Sequence, residues 1–285
     1  MRDAALQGLA VGFFDGVHLG HREILRGASA ALTFRNHPLT VLAPEKAPRL
    51  IMTCEERVAA IRACGVKDVT VLDFTPELAA MSPDEFFTRH LASFVSCLPS
   101  SVRCGANWRF GAGGAGDAEF LRSRGIDVEV VPYAEYKGEK VSSSRIRQCL
   151  ENGAIEDANA MLGRRYEIRG KREEGKGLGR KIGYPTINLV LRLASPVLPL
   201  GVYEVEVEGV KGIANYGIAP TMGDKAWKTP VMEVHLLGEG AEDVRPETED
   251  GVSVTFVRYI RPEKKFASID DLKRQIAADC ATITL

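Results

Sequence analysis

The chain has 285 residues, a formal net charge of −1 from 37 Lys and Arg against 38 Asp and Glu, and 45% hydrophobic residues. That length and composition fit an ordinary globular protein of two domains, and the balanced charge gives no electrostatic case for nucleic-acid binding. The six cysteines, at 54, 64, 97, 104, 149 and 280, never fall in C-x-x-C spacing, which excludes a zinc ribbon or thioredoxin-like motif. No run approaches the ~20 apolar residues of a membrane helix, and the first residues lack the order of a signal peptide. A cytoplasmic protein with reduced thiols and no membrane partner is expected.

Up to about residue 160, short apolar runs alternate with helix-like stretches. "LAVGFF" reads as a strand, "HREILRGASA" as a helix and "ALTF" as a strand. "TCEERVAAIRACG" is a helix with Thr53 as its cap, Glu56 three residues on and a glycine at its end. "DVTVLDF" is a strand, and "SPDEFFTRHLASFV" a helix capped by Ser82 with Pro83 at its first position. "SVRCG" and "DVEVVPY" are strands with a helix carrying "FLRSRG" between them. This alternation predicts a doubly wound parallel sheet, with ligands beyond the carboxyl ends of its strands, where Gly12 to His21 would lie. The crossover from Phe14 to Leu32 is short for a turn, a helix and a return loop. It predicts missing residues near Ser29 to Ala31, visible as a Cα–Cα gap above the ~3.8 Å of a trans peptide.

From about Tyr166 the pattern changes to "YEIRGKR", "TINLVL", "GVYEVEVEG", "VKGIANYG", "MEVHLL" and "VSVTFVRYIR", short alternating strands separated by Gly and Pro turns. These read as an antiparallel barrel or sandwich. A last helix, "IDDLKRQIAADCATI", carries Leu272, Ile276 and Ala277 at helical spacing. The helical connector "LENGAIEDANAMLGRR" puts the boundary between domains 1–160 and 161–285.

The stretch "AVGFFDGVHLGH" has the features of a phosphate site. Gly12 and Gly16 would let backbone approach a phosphate, and a helix start offers unpaired N–H groups to an anion. His18 and His21 are three apart, so they share one face, where they can stabilise charge on a reacting phosphate. As a bare pair they would also fit a metal site or two surface histidines; the strand and glycines favour a nucleotide. In "VSSSRIR", Ser142 and Ser143 at a helix start with Arg145 and Arg147 suit β- and γ-phosphates, and equally suit a plain helix cap with solvated arginines. Asn107 in "GANWRFG" is either a phosphate contact or a turn asparagine.

In the second half, Gly170, Gly175, Gly177, Gly179 and Gly183, with Lys176, Arg180 and Lys181, form a basic Gly-rich segment, not a Walker A motif; it is either a phosphate flap or a solvated loop. Thr186 and Asn188 are two apart on a strand, so they share a face. Their oxygens would serve a magnesium held chiefly by ATP, or simply line a barrel. In "VMEVHLL", Met232, Val234 and Leu236 face one way, Glu233 and His235 the other. Glu233 is expected on the interior-facing side as a general base for an alcohol, with a solvent-facing strand glutamate as the plain alternative.

Together these motifs resemble the prokaryotic bifunctional riboflavin kinase/FMN adenylyltransferases, along nearly the whole chain. "GFFDGVHLGH", including Phe14 and Asp15, resembles the HxGH frame of nucleotidyltransferases. "TFRNHP" resembles the family's Thr-Phe-x-Pro-His-Pro with Asn36 in place of proline, and "GANWRFG" and "VSSSRIR" follow in order, Trp108 replacing a phenylalanine. "GLGRKIGYPTINL", "NYGIAPT", "MEVHLL" and "IRPEKKF" resemble the kinase module, with Ala219 where arginine is usual. The resemblance implies an N-terminal nucleotidyltransferase domain and a C-terminal antiparallel β-barrel with a terminal helix. It implies ATP and magnesium as co-substrate and cofactor, and riboflavin, FMN and FAD as substrates and products. His18 and His21 are implied for adenylyl transfer, Gly12, Phe14, Asp15, Gly16, Asn107, Ser142, Ser143, Arg145 and Arg147 for its nucleotide, and His37 for flavin. Gly175, Gly177, Gly179, Arg180 and Gly183 are implied for the kinase nucleotide, Thr186 and Asn188 for magnesium, and Glu233 as the base. Two other readings remain open on sequence. A single-activity nucleotidyltransferase for another mononucleotide would leave the "GRKIGYPTIN" and "MEVHLL" motifs without a use. A flavin- or nucleotide-binding regulator would bind without turnover.

Overall fold

The computed structural model describes residues 8–92, 101–173, 179, 182–191, 198–217, 231–238 and 251–284. The chain divides into two units, Met1–Ser143 and Ser144–Leu285.

In the first unit, β1 (Leu9–Val11), β2 (Ala30–Phe34), β3 (Asp68–Leu72), β4 (Ser101–Gly105) and β5 (Asp127–Val131) form one sheet in the order β3-β2-β1-β4-β5. Every pairing is parallel, as the βα alternation predicts. The direction of winding reverses at β1, so its carboxyl end opens beside that of β4, where such sheets bind ligands. The helices are α1 (Leu19–Leu25), α2 (Leu39–Leu42), α3 (Cys54–Ala63), α4 (Pro76–Ala80), α5 (Pro83–Phe86) and α6 (Ala118–Ser123). Thr53 and Ser82 both complete capping boxes, with Glu56 and Glu85. The helix expected through Val95 is α5 followed by a π-helical turn, Phe87–Leu91, and its last residues lie outside the described part. A small hairpin, β6 (Glu135–Tyr136) and β7 (Glu139–Lys140), has no counterpart in the sequence reading.

The expected break near Ser29 to Ala31 is not found. Helix α1 is only seven residues long, and Gly27 turns the chain at φ +73°. The Ser29 N–H already donates to Gly8 O, while Lys67 and Asp68 N–H donate to Ser29 O. No separate loop is needed to close the helix end, because Arg103 on β4 does it. Its Nε donates to Ile24 O and its Nη2 to Glu23 O, both at 3.1 Å.

In the second unit, α7 (Ser143–Glu151), whose first residue belongs to the first unit, and α8 (Ile155–Leu162) lead into a closed barrel. Its strands are β8 (Tyr166–Glu173), β9 (Ile187–Leu191), β10 (Gly201–Val207), β11 (Val210–Gly217), β12 (Val231–Leu236) and β13 (Val252–Pro262). They close in the order β10-β11-β12-β9-β8-β13, all antiparallel, so the barrel and not the sandwich is formed. Inward-facing Tyr203, Val205, Met232, Val234, Val254 and Phe256 are fully buried and fill it. Asn159 pins α8 to the barrel: its Nδ2 donates to Phe256 O and its Oδ1 accepts from Tyr166 N. The final helix, α9 (Ile269–Cys280), departs from the expected apolar stripe. Leu272 and Ile276 are only half-buried and Ala277 is exposed. Its buried anchor is Asp279, which accepts from Arg261 Nε at 2.9 Å and Nη2 at 2.6 Å and from Gln275.

Candidate active sites

The turn after β1 is strained by its own sequence. Phe14 has φ +58° and Val17 φ +40°, with Gly16 at +83° between them. A β-branched residue at positive φ costs on the order of 1–3 kcal/mol, and such outliers cluster at functional sites. Packing holds them: Phe14 and Val17 are each 1% exposed. Gly16 is required by its φ. Gly12 is required because the Phe14 ring lies over it, leaving only 3.0 Å to an added Cβ. Buried Thr33 on β2 donates to Phe13 O at 2.9 Å. The Asp15 carboxylate, 2% exposed, accepts the Ile51 N–H, which ties the turn to the segment before α3.

His18 caps α1, its Nδ1 accepting the His21 N–H at 3.3 Å. That fixes the proton of a neutral His18 on Nε2. Its ring stacks on His21, with centroids 3.6 Å apart. The intervening Gly20 explains the x-Gly spacing, since an added Cβ would lie 3.3 Å from His18 Cε1. Burial first, then His18 and Arg57, hold His21 well below the usual imidazole range. Its buried Nδ1 has no hydrogen-bond partner among the described residues.

Asn107, His37, Ser142 and Ser143 belong to this unit, and Arg145 and Arg147 to the second. Asn107 is exposed just beyond β4, two residues past Gly105. Ser143 Oγ donates to Asp15 O at 2.9 Å, which ties the first residue of α7 to the turn. Ser142 precedes it, and Arg145 and Arg147 follow on the helix. His37 is half-buried just past β2, its Nδ1 accepting the Leu39 N–H and its ring edge-on to Phe13 at 4.9 Å. Asn36, in the place of proline, makes a two-way bond to the Phe74 backbone, which fixes the loop as a ring would. Sequence reasoning missed Arg57 on α3. It is fully buried, its guanidinium carbon sits 4.2 Å from the Phe13 ring centroid, and Nη2 donates to Phe34 O and Arg35 O. Only its spacing from Thr53 on a capped helix marked it, and spacing does not reveal what a long side chain reaches.

In the second unit, Glu233 is corrected from the interior-facing side to the outer face. Its neighbours Met232 and Val234 are fully buried, so strand alternation turns Glu233 out, and it is exposed. There it stands directly between Asn188 on β9 and Asn215 on β11 in cross-strand register. Thr186, two residues before Asn188, belongs to the same face. The His235 Nδ1–H donates to Pro185 O at 2.8 Å, and its ring meets Tyr184 edge-on, which clamps the Pro-Thr segment to β12. Gly179 packs on that segment: an added Cβ would be 2.3 Å from Tyr184 O and 3.2 Å from Thr186 Oγ1. Gly183 turns at φ +91°. Gly175, Gly177 and Arg180 lie outside the described residues, as does Ala219. Gly170 belongs to β8, where Leu189 and Leu191 crowd it, and so is a barrel residue.

Among the described residues, no group of three or more His, Cys, Asp or Glu could hold a metal ion. No described helix is long and apolar enough to cross a membrane. The described cysteines are free thiols, of which only Cys104 is buried.

A strained turn at the switch point of a parallel sheet, followed along the chain by a closed barrel with a polar outer row, is the frame in which the family matches fall. Residues 3–145 match the family model described as FAD synthetase, and residues 162–284 the model described as riboflavin kinase. Curated relatives from Escherichia coli strain K12 and Bacillus subtilis strain 168, both named bifunctional riboflavin kinase/FMN adenylyltransferase, are 35% and 32% identical. The matches cover 95% of this chain and 90% and 89% of those proteins. A solved structure described as a macrolide-efflux protein from Streptococcus pneumoniae superposes with a TM-score of 0.81 at 28% identity, over 98% of this chain and 94% of that one. The chain belongs to the bifunctional riboflavin kinase/FMN adenylyltransferase family, and both of its activities are those of transferases.

Proposed function

We propose that residues 161–285 transfer the ATP γ-phosphoryl group to riboflavin, giving FMN, and that residues 1–160 join FMN to the adenylyl group of ATP, giving FAD and pyrophosphate. The reading is carried by the stacked pair His18 and His21 on a strained turn at the sheet's switch point.

In adenylyl transfer, an FMN phosphate oxygen attacks the α-phosphorus of ATP and pyrophosphate leaves. That phosphate is ionised at neutral pH, so no general base is needed. His18 and His21 stabilise the charge that builds on the α-phosphate. Gly12, Phe14, Asp15 and Gly16 shape the turn beneath it. Asn107, Ser142, Ser143, Arg145 and Arg147 bind the rest of the nucleotide, and His37 meets the flavin.

In the kinase step, the terminal ribityl hydroxyl attacks the γ-phosphorus, Glu233 takes its proton and ADP leaves. Its exposure on the outer face leaves this carboxylate reachable by substrate. Gly175, Gly177, Gly179, Arg180 and Gly183 hold the nucleotide. Thr186 and Asn188 offer neutral oxygens on one strand face, which suit a magnesium whose remaining ligands are phosphate oxygens and water. When bound, magnesium neutralises phosphate charge. The protein is proposed to act in the cytoplasm.

The test is to incubate the protein with riboflavin, ATP and magnesium and separate the flavins over time. FMN should appear first and FAD after it. Binding of ATP and flavin without turnover would reject the proposal in favour of a regulator.

A further inference from the structure

Arg57 is fully buried in the first unit, an expensive place for a guanidinium. A purely structural position at the start of α3 would be served by leucine or methionine. Its Nη2 donates to the carbonyls of Phe34 and Arg35, and Cys54 and the Asp15 carboxylate act on its charge. Nε and Nη1 are buried with no hydrogen-bond partner among the described residues. Its guanidinium carbon lies over the Phe13 ring, which also meets the His37 ring at a near right angle. Phe13 belongs to the phosphate turn, and Phe34, Arg35 and His37 to the end of β2 and the loop beyond it. A single side chain thus spans the two segments that leave the carboxyl ends of β1 and β2, at the ligand-binding edge of the sheet.

We infer that Arg57 is a positioning residue for adenylyl transfer, holding the Phe34–His37 segment and the Phe13 ring in one arrangement to receive the flavin substrate. The inference rests on the assignment of the flavin to the His37 side. Arginine suits the task because its planar guanidinium covers a ring while one of its nitrogens donates to two carbonyls, a combination that lysine's compact ammonium makes less well. The loss should therefore fall on the flavin and not on ATP, which meets the turn through His18 and His21.

The experiment measures FAD formation from supplied FMN, varying FMN at saturating ATP and ATP at saturating FMN, for Arg57→Met, Arg57→Lys, Phe13→Leu and His37→Ala. Arg57→Met should raise the KM for FMN at least tenfold and leave that for ATP within threefold. Arg57→Lys, which keeps a donor and the charge, should recover part of the loss. Phe13→Leu leaves the two carbonyl bonds in place and should also act on the FMN term, so it carries the test if Arg57→Met does not fold. Equal rises in both KM values, or a fall in kcat alone, would overturn the inference. So would a raised KM for FMN in His37→Ala with none in Arg57→Lys or Phe13→Leu. An unchanged KM in His37→Ala beside a raised one in Arg57→Met would instead reject the flavin role of His37 and leave that of Arg57 standing.

Discussion

The imidazoles of His18 and His21 lie 16° from parallel with their centres 3.6 Å apart. Two protonated rings at that distance repel strongly in a buried setting, so the pair carries at most one positive charge near neutrality. His21, depressed by burial first and then by His18 and Arg57, is the neutral member. In the proposed adenylyl transfer it meets the phosphate as an N–H donor from a ring already desolvated.

Removing that donor should be costly for one reaction only. His21→Ala is expected to lower FAD formation from FMN by on the order of 10²-fold or more, the scale of losing one stabiliser of transition-state charge. Conversion of riboflavin to FMN should persist in the same preparation. Chromatographic quantification of both products decides it, and parent-like FAD formation would remove His21 from the mechanism.

The same burial makes a stability prediction. The native pKa of His21 lies below its unfolded value, near 6.5. Between the two values the unfolded chain binds the extra proton, so stability falls as the pH drops through 6.5 and levels off below the native pKa. The slope from this group is at most about 1.4 kcal/mol per pH unit. Urea midpoints of the first unit, read at Trp108 in a Trp227→Phe background, should decline from pH 7.5 to 5.5. His21→Gln should flatten the decline; an identical slope in both proteins would refute the assignment.

Glu233→Gln keeps the side chain's size and loses its basicity. Riboflavin phosphorylation should fall by about 10²–10⁴-fold, the usual contribution of a positioned base. Supplied FMN should still become FAD at near the parent rate. Because the residue is exposed, folding should survive the change. A variant that phosphorylates riboflavin normally would show that this strand is not catalytic.

For the barrel unit, Asp279→Ala leaves Arg261 without its carboxylate in a largely buried site. A loss of about 3–5 kcal/mol is expected in calorimetry of that unit's transition. Arg261→Met combined with Asp279→Leu should cost less than Asp279→Ala alone, since no charge is then stranded. The reverse order would mean that the pair's attraction outweighs its desolvation.

Much of this molecule is legible from its sequence because its signals are local. Thr53 with Glu56, and Ser82 with Pro83, announce their helices within four residues, and strand alternation sets Met232 and Val234 on the face opposite Glu233. The side of Glu233 was misjudged although the same alternation contained the answer: burial of both neighbours leaves it only the outer face. What stayed hidden depends on partners distant in sequence. Arg57 reaching Phe34 and Phe13, Asp279 holding Arg261, and His235 gripping Pro185 leave no periodic mark. The short crossover shows the same dependence, since the groups that close α1 are supplied by Arg103.

That last feature bears on the order in which the adenylyl site is assembled. A seven-residue helix has too few internal bonds to persist by itself in water. The carbonyls at its end are satisfied from a strand some eighty residues further along the chain. The end of this helix is therefore closed only when β4 stands beside β1, a contact of high sequence separation. The histidine pair is expected to gain its arrangement with the sheet as a whole and not with the turn alone, although the turn is among the first segments made.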